Sequence, residues 1–121
     1  MLEGIIIHGE GIGKGLGYPT ANIDIAPEKV HLGPGIYAAK ALLGEESYIA
    51  GLVIVEKPWK VEVHLIDYTG PDIYGEHLQV DPIQRVSTFH KYTTEAELKR
   101  KIKKDIQLVS QVFDDPEVRA Y

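Results

Sequence analysis

The chain has 121 residues, of which 44% are hydrophobic, a formal net charge of −5 and no cysteine. A chain of this length can bury one hydrophobic core, so we expect a single domain over residues 1–121. The missing cysteines exclude disulfides and thiolate metal sites, and the acidic balance argues against a general nucleic-acid-binding protein.

The hydropathy of the chain and the lack of an export signal favour a cytoplasmic protein. The longest apolar runs are too short to cross a bilayer, and the N-terminus lacks a basic stretch followed by an apolar signal core. We therefore expect a cytoplasmic monomer that binds neither membrane nor nucleic acid. One cluster is basic, and a solvated helix face is favoured over a phosphate or nucleic-acid patch for its residues Lys99, Arg100, Lys101, Lys103 and Lys104.

The first three quarters of the chain have the pattern of strands separated by glycine and proline. The predicted strands are residues 2–8, 35–43, 48–55, 61–68 and 76–80. No helical segment lies between the early strands to carry a parallel crossover. Short strands at this spacing favour a closed or nearly closed antiparallel barrel.

The last quarter has the pattern of one amphipathic helix. Thr94 can cap its N-terminus, and Glu97 completes a capping box. Pro116 and the two aspartates before it predict the end of the helix. One helical face would carry the apolar residues Leu98, Ile102, Ile106, Val109 and Phe113, and we expect it to pack against the barrel.

A glycine stands at every second position from 9 to 17. Such a segment lets backbone N–H groups approach a phosphate closely. It is not a Walker A loop, because His8 occupies the first glycine position and Gly15 stands where a serine or threonine is needed. The dinucleotide-binding spacing is also absent. On composition alone, a flexible surface loop is the favoured interpretation.

Thr20 and Asn22 follow this segment and are two residues apart. In an extended chain their side chains point to the same side. Two neutral oxygen donors beside a glycine loop suit a Mg²⁺ ion that also binds phosphate oxygens. The alternative is a strand start in which both side chains satisfy local backbone groups.

The segment 61–67 alternates apolar with polar residues, which places Glu62 and His64 on one face of a strand. A carboxylate there could accept the proton of an alcohol that attacks a γ-phosphate. The alternative is a solvent-facing glutamate on the barrel exterior. For His64 a cross-strand hydrogen bond is favoured over metal ligation, because the five histidines show no ligand spacing.

Together these segments resemble the riboflavin kinase (flavokinase) family, which includes stand-alone enzymes and the C-terminal module of bacterial bifunctional FAD synthetases. The element Pro19-Thr20-Ala21-Asn22 in its glycine setting is the most specific part of the match. The matching segments are residues 9–23, 33–38, 61–67, 72–76, 78–80 and 97–105.

The resemblance implies a six-stranded Greek-key barrel with a C-terminal helix. It also implies transfer of the γ-phosphoryl group of ATP to the ribityl 5′-hydroxyl of riboflavin, with FMN and ADP as products. The 121 residues leave no room for an adenylyltransferase domain, so we expect no FAD synthesis. Glu62 would be the general base, and Thr20 and Asn22 would bind Mg²⁺. Arg85, Phe89 and Leu98 would lie near the flavin. The nucleotide would contact Gly9, Gly11, Gly13, Lys14, Gly15, Gly17, Pro19, Thr20 and Asn22.

The sequence departs from the family pattern in two segments, both expected on the flavin side. Residues 52–59 keep Pro58 and an aromatic residue, with a shortened connection, and residues 84–89 lack the usual Leu-Arg pair. These departures leave open a non-catalytic flavin- or nucleotide-binding module, or a kinase with another acceptor or nucleotide. The combination of Thr20, Asn22 and Glu62 favours an enzyme, because a module that only binds its ligand needs no base.

Overall fold

The computed structural model describes residues 1–8, 20–88 and 93–114. In this part of the chain six antiparallel strands close into a barrel in the order β1-β2-β5-β4-β3-β6. The strands are β1 Leu2–Ile7, β2 Ala21–Asp24, β3 Gly35–Leu43, β4 Glu46–Val55, β5 Lys60–Leu65 and β6 His77–Ser87. Strands β3, β4 and β5 form consecutive hairpins and β6 returns beside β3, which is a Greek key. The predicted fold class is confirmed.

Alternation along each strand separates an apolar interior from an outer face. On β5 the residues Val61, Val63 and Leu65 are buried, while Lys60, Glu62 and His64 are half-buried on the other side. The interior includes side chains that are less than 2% exposed, namely Ile6, Leu52, Ile54, Val61, Val63, Leu78 and Val80. Polar side chains of β5 therefore stand on the outside of the barrel wall.

A single α-helix in the described residues, α1 Glu95–Phe113, packs against the outside of the barrel. Its buried residues Val109 and Phe113 lie over Ala38 of β3. A Cβ atom at Gly51 would lie 3.6 Å from Val109 Cγ2, so the missing side chain lets the helix approach the sheet. No helix in the described ranges is long and apolar enough to cross a membrane.

The N-terminus of α1 carries the predicted cap. Thr94 Oγ1 accepts a hydrogen bond of 3.1 Å from the backbone N–H of Glu97. The reciprocal arm differs from a standard capping box, because the Glu97 carboxylate accepts from the backbone N–H of Thr93 instead of Thr94. Both contacts tie the first turn of the helix to the segment before it.

We expect Thr94→Ala to lower the free energy of unfolding by about 1 kcal/mol, because a backbone N–H loses its partner. Thr94→Ser should retain most of the stability, since it keeps the hydroxyl. Urea denaturation of both variants tests this. Equal destabilisation by alanine and serine would contradict a capping role.

Strands β6 and β2 differ most from the sequence prediction, and β5 ends at Leu65 instead of residue 68. β6 was predicted to stop at residue 80 but continues through Pro82 to Ser87. The β3–β6 register shifts between Ala38 and Ala39, which pair with Gln84 and Pro82, so the proline lies at a bulge where its missing N–H is tolerated. β2 was foreseen only as an extended segment at Thr20–Asn22. A short 3₁₀ helix, Pro27–Lys29, was not predicted.

Candidate active site on the outer face of strands β2 and β5

Asn22 and Glu62 are directly opposite residues in the β2–β5 ladder. The neighbouring pair, Ala21 and Val63, faces the buried interior, so alternation places Asn22 and Glu62 on the outer face. Opposite residues on one face of an antiparallel pair have Cβ atoms about 5 Å apart. The register therefore brings together an amide and a carboxylate that are 40 positions apart in the sequence.

Asn22 is buried although its side chain is polar, and only 8% of its surface is exposed. Thr20 is half-buried and lies immediately before β2, two residues from Asn22. Hydroxyl and amide oxygens are ligands that Mg²⁺ accepts. The described residues contain no cluster of three or more His, Cys, Asp or Glu that could hold a metal.

Glu62 forms an ion pair with Lys60. The distance between Lys60 Nζ and Glu62 Oε1 is 2.5 Å, and the two side chains are 28% and 17% exposed. Lys60 is not among the site residues predicted from the sequence. The same alternation that placed His64 beside Glu62 also places Lys60 there, two residues earlier on β5.

His64 lies on the same face of β5 but does not make the predicted hydrogen bond through Nδ1. That atom is buried and has no hydrogen-bond partner among the described residues. The residue opposite on β4 is Gly51, which offers no side chain, so the expected cross-strand bond is absent on that side. Burial lowers the pKa of His64 from 6.5 to about 4, and the imidazole is therefore neutral at pH 7.

The lowered pKa of His64 predicts a pH-dependent stability. The unfolded chain takes up the proton near pH 6.5 and the folded chain only near pH 4, so the free energy of unfolding should fall as pH drops through this interval. His64→Gln should remove that part of the slope, and exposed His31→Gln should not. Urea denaturation between pH 4 and pH 7 measures the difference. Parallel curves for the parent and His64→Gln would refute the assignment.

A cavity of about 260 Å³ opens beside Thr20. Its wall combines Val63 of β5 with the segment 68–74 that leads towards β6. This segment is held in place by two contacts. Tyr68 donates a hydrogen bond of 2.5 Å to the carbonyl of Pro71. The ring of Tyr74 stacks on His8 with centroids 3.7 Å apart. The sequence analysis matched residues 72–76 but predicted no cavity there.

Two of the predicted flavin residues are in the described part of the chain, Arg85 on β6 and Leu98 on α1. Arg85 is exposed on β6, where its Nε would be 2.7 Å from a Cβ atom at Gly35, a glycine with φ of +151°. Leu98 is half-buried in the first turn of α1. Arg85 pairs with β3, and in the closed barrel two strands separate β6 from Glu62's strand β5 in either direction.

Several predicted residues lie outside the described part of the chain. They are Phe89 and the nucleotide-loop residues Gly9, Gly11, Gly13, Lys14, Gly15, Gly17 and Pro19. Of the predicted site, the structure thus places Thr20, Asn22 and Glu62 together, Arg85 on a strand that adjoins neither β2 nor β5, and Leu98 on α1.

Comparison with known proteins identifies similar sequences over most of the chain. The family model described as "Flavokinase: Riboflavin kinase" matches residues 1–113. A bifunctional riboflavin kinase/FMN adenylyltransferase of Bacillus subtilis is 29% identical over 94% of this chain and 39% of its own. An RNA-binding riboflavin kinase, RibR, of the same organism is also 29% identical, over 94% of this chain and 51% of its own. The chain thus spans about half or less of these relatives.

Two solved structures share the fold. A riboflavin kinase from Trypanosoma brucei superposes with a TM-score of 0.73 at 20% identity, covering 98% of this chain and 79% of that one. A macrolide-efflux protein from Streptococcus pneumoniae superposes with a TM-score of 0.79 at 25% identity, covering 89% of this chain and 37% of that one. The barrel with its C-terminal helix is therefore a shared architecture, and function has to be argued from the site.

Proposed function

The chain belongs to the riboflavin kinase family, and from that membership we propose that it phosphorylates riboflavin. The γ-phosphoryl group of ATP would pass to the ribityl 5′-hydroxyl, giving FMN and ADP. The observation that supports this most is the direct pairing of Asn22 with Glu62. The pairing sets a candidate metal ligand beside a candidate base, as phosphoryl transfer to an alcohol requires.

Glu62 is the proposed general base. As the 5′-oxygen attacks the γ-phosphorus, the hydroxyl proton passes to the Glu62 carboxylate. The bond from the γ-phosphorus to the bridging oxygen breaks, and that oxygen leaves with ADP. Glu62 suits this role because its side chain is only 17% exposed, so little water competes with the alcohol. Positioning contributes the rest, since the protein forms no covalent bond in such a reaction.

Thr20 and Asn22 are the proposed Mg²⁺ ligands. Their hydroxyl and amide oxygens carry no net charge, so phosphate oxygens and water would complete the coordination. The bound ion would neutralise negative charge on the phosphates. The two side chains would orient the nucleotide so that its terminal phosphate faces Glu62 across the β2–β5 ladder.

The rest of the nucleotide is proposed to lie between the glycine segment and the cavity beside Thr20. The backbone N–H groups of Gly9, Gly11, Gly13, Gly15 and Gly17 would hold phosphate oxygens, with Pro19 at the end of the segment and Lys14 adding positive charge. The adenine ring of the nucleotide would enter the cavity, where the Tyr68 and Tyr74 side chains offer ring surfaces.

The flavin is proposed to lie towards Arg85, Phe89 and Leu98. The ribityl chain of riboflavin carries the reacting hydroxyl away from the ring, so the ring and Glu62 need not be adjacent. The altered segment 52–59 forms the end of β4 and a tight turn into β5. Trp59 anchors that turn through a hydrogen bond of 2.7 Å from Nε1 to the Ile25 carbonyl.

We further propose a cytoplasmic monomer that acts on these small molecules without nucleic acid. The net charge of −5 supports the absence of a nucleic-acid partner, because the chain as a whole would repel one. The rival is a non-catalytic module that binds flavin or nucleotide on the same barrel. The partly buried carboxylate opposite Asn22 favours the kinase, since binding alone would gain nothing from it.

A panel of substrates tests the proposed specificity. The protein is incubated with Mg²⁺, each of four nucleoside triphosphates and either riboflavin or another primary alcohol, and phosphorylated products are resolved by chromatography. ATP with riboflavin should give the highest kcat/KM. Faster reaction with another acceptor would refute riboflavin as the substrate.

A further inference from the structure

Lys60 holds the proposed base in an ion pair. Its Nζ lies 2.5 Å from Glu62 Oε1, and both side chains are more than two thirds buried. The residues opposite Glu62 are Asn22 on β2 and Val53 on β4, which carry no charge. The positive charge against this carboxylate comes from Lys60 on the same strand, because the residues opposite Glu62 on the two neighbouring strands are uncharged.

We propose that Lys60 is a second catalytic residue, which pairs with Glu62 in the absence of nucleotide and binds the γ-phosphate of ATP during transfer. This inference rests on the proposed kinase function and extends it to a residue that neither the motifs nor the resemblance indicated. It gives the Lys60–Glu62 ion pair a role in the reaction.

The ammonium group lies within reach of the reacting phosphorus. A hydroxyl that donates to the Glu62 carboxylate lies about 2.7 Å from it, and in a near-attack arrangement the oxygen is about 3–3.5 Å from phosphorus. Since Lys60 Nζ already touches the same carboxylate, the γ-phosphate oxygens fall within a few ångströms of it. Rotation of the four-carbon side chain covers that distance.

Moving Lys60 from the carboxylate to the phosphate favours both the attack on phosphorus and the removal of the hydroxyl proton. At the phosphate, the ammonium group would stabilise the charge that spreads over the γ-oxygens in the transition state. At Glu62, loss of the adjacent positive charge raises the affinity of the carboxylate for a proton. Lys60 keeps its own protons throughout and donates only hydrogen bonds. The hydroxyl proton still goes to Glu62.

A purely structural ion pair is the alternative explanation. An ion pair with a purely structural role contributes little to stability near a surface, and its removal would leave the turnover rate unchanged. The two explanations therefore differ in kinetics more than in stability. Loss of a structural pair would change the affinity for every nucleotide equally. Loss of a γ-phosphate contact would weaken only the binding of nucleotides that carry the third phosphate.

The test compares Lys60→Met and Lys60→Arg with Lys104→Met, which removes an exposed lysine from α1. FMN formation gives kcat and KM, and titration calorimetry gives affinities for ADP and a non-hydrolysable ATP analogue. Lys60→Met should lower kcat about 100-fold or more. It should weaken the triphosphate analogue more than ADP and leave the KM for riboflavin nearly unchanged. Lys60→Arg should recover part of kcat, and Lys104→Met should match the parent.

The outcomes separate the two claims. If the parent forms no FMN, the proposed function fails, and the Lys60 inference fails with it. If the parent is active and Lys60→Met keeps its kcat, only the Lys60 inference is overturned. Equal loss of affinity for ADP and the triphosphate analogue would also overturn it. Thermal unfolding of each variant shows whether a lost activity comes from a lost fold.

Discussion

Glu62→Gln should cut the rate of FMN formation by about two to four orders of magnitude while leaving Mg-ATP binding nearly intact. The amide has the same shape as the carboxylate but cannot accept the hydroxyl proton. Glutamine also removes the charge that pairs with Lys60 at 2.5 Å, so a small loss of stability accompanies the loss of rate. Steady-state kinetics with riboflavin, combined with calorimetric titration of Mg-ATP, separates these effects.

Glu56→Gln is the matched control for this variant. Glu56 is exposed in the turn just before β5, six residues from Glu62, and the substitution changes the net charge in the same way. It should behave like the parent in both measurements. A Glu62→Gln variant with near-normal turnover would remove Glu62 from the mechanism.

Asn22→Ala should weaken Mg-dependent ATP binding by about 10-fold or more, a loss typical of altered metal coordination. The expected loss of affinity is large because Asn22 is only 8% exposed. Water therefore has little access to replace its amide oxygen as a metal ligand. ATP binding is measured with and without Mg²⁺, and the Mg-dependent part should account for the loss. Thr20→Ala should act in the same direction.

Asp24→Asn is the control on the same strand, since Asp24 is exposed at the far end of β2. It should leave Mg-ATP affinity unchanged. Unaltered affinity in both Asn22→Ala and Thr20→Ala would show that these oxygens do not hold the ion. The nucleotide would then have to be placed elsewhere on the barrel.

Much of the fold could be predicted from local patterns. The predicted boundaries of β3, residues 35–43, match the structure, because glycine turns flank the strand on both sides. Helix α1 was predicted from its cap and its apolar face, and its buried residues Val109 and Phe113 belong to that face. The extension of β6 past Pro82 was not predictable, because the bulge that accommodates the proline depends on the β3 partner.

The site was predictable residue by residue but not as an arrangement. Alternation alone put Glu62 and His64 on one face of β5. The pairing of Asn22 with Glu62 depends on the β2–β5 register, which barrel closure sets and local sequence does not. The unpartnered His64 nitrogen follows from Gly51 on the neighbouring strand, a contact equally invisible before the strands are paired.

The central claim is that the outer face around Asn22 and Glu62 transfers a phosphoryl group to riboflavin. Its most direct test is a single-turnover reaction, with the protein in excess over riboflavin and with Mg²⁺ and ATP present, in which FMN and ADP are both quantified. FMN and ADP should appear in equal amounts, and the formation of both should depend on riboflavin. Absence of FMN at high protein concentration, or ADP released without FMN, would contradict the central claim.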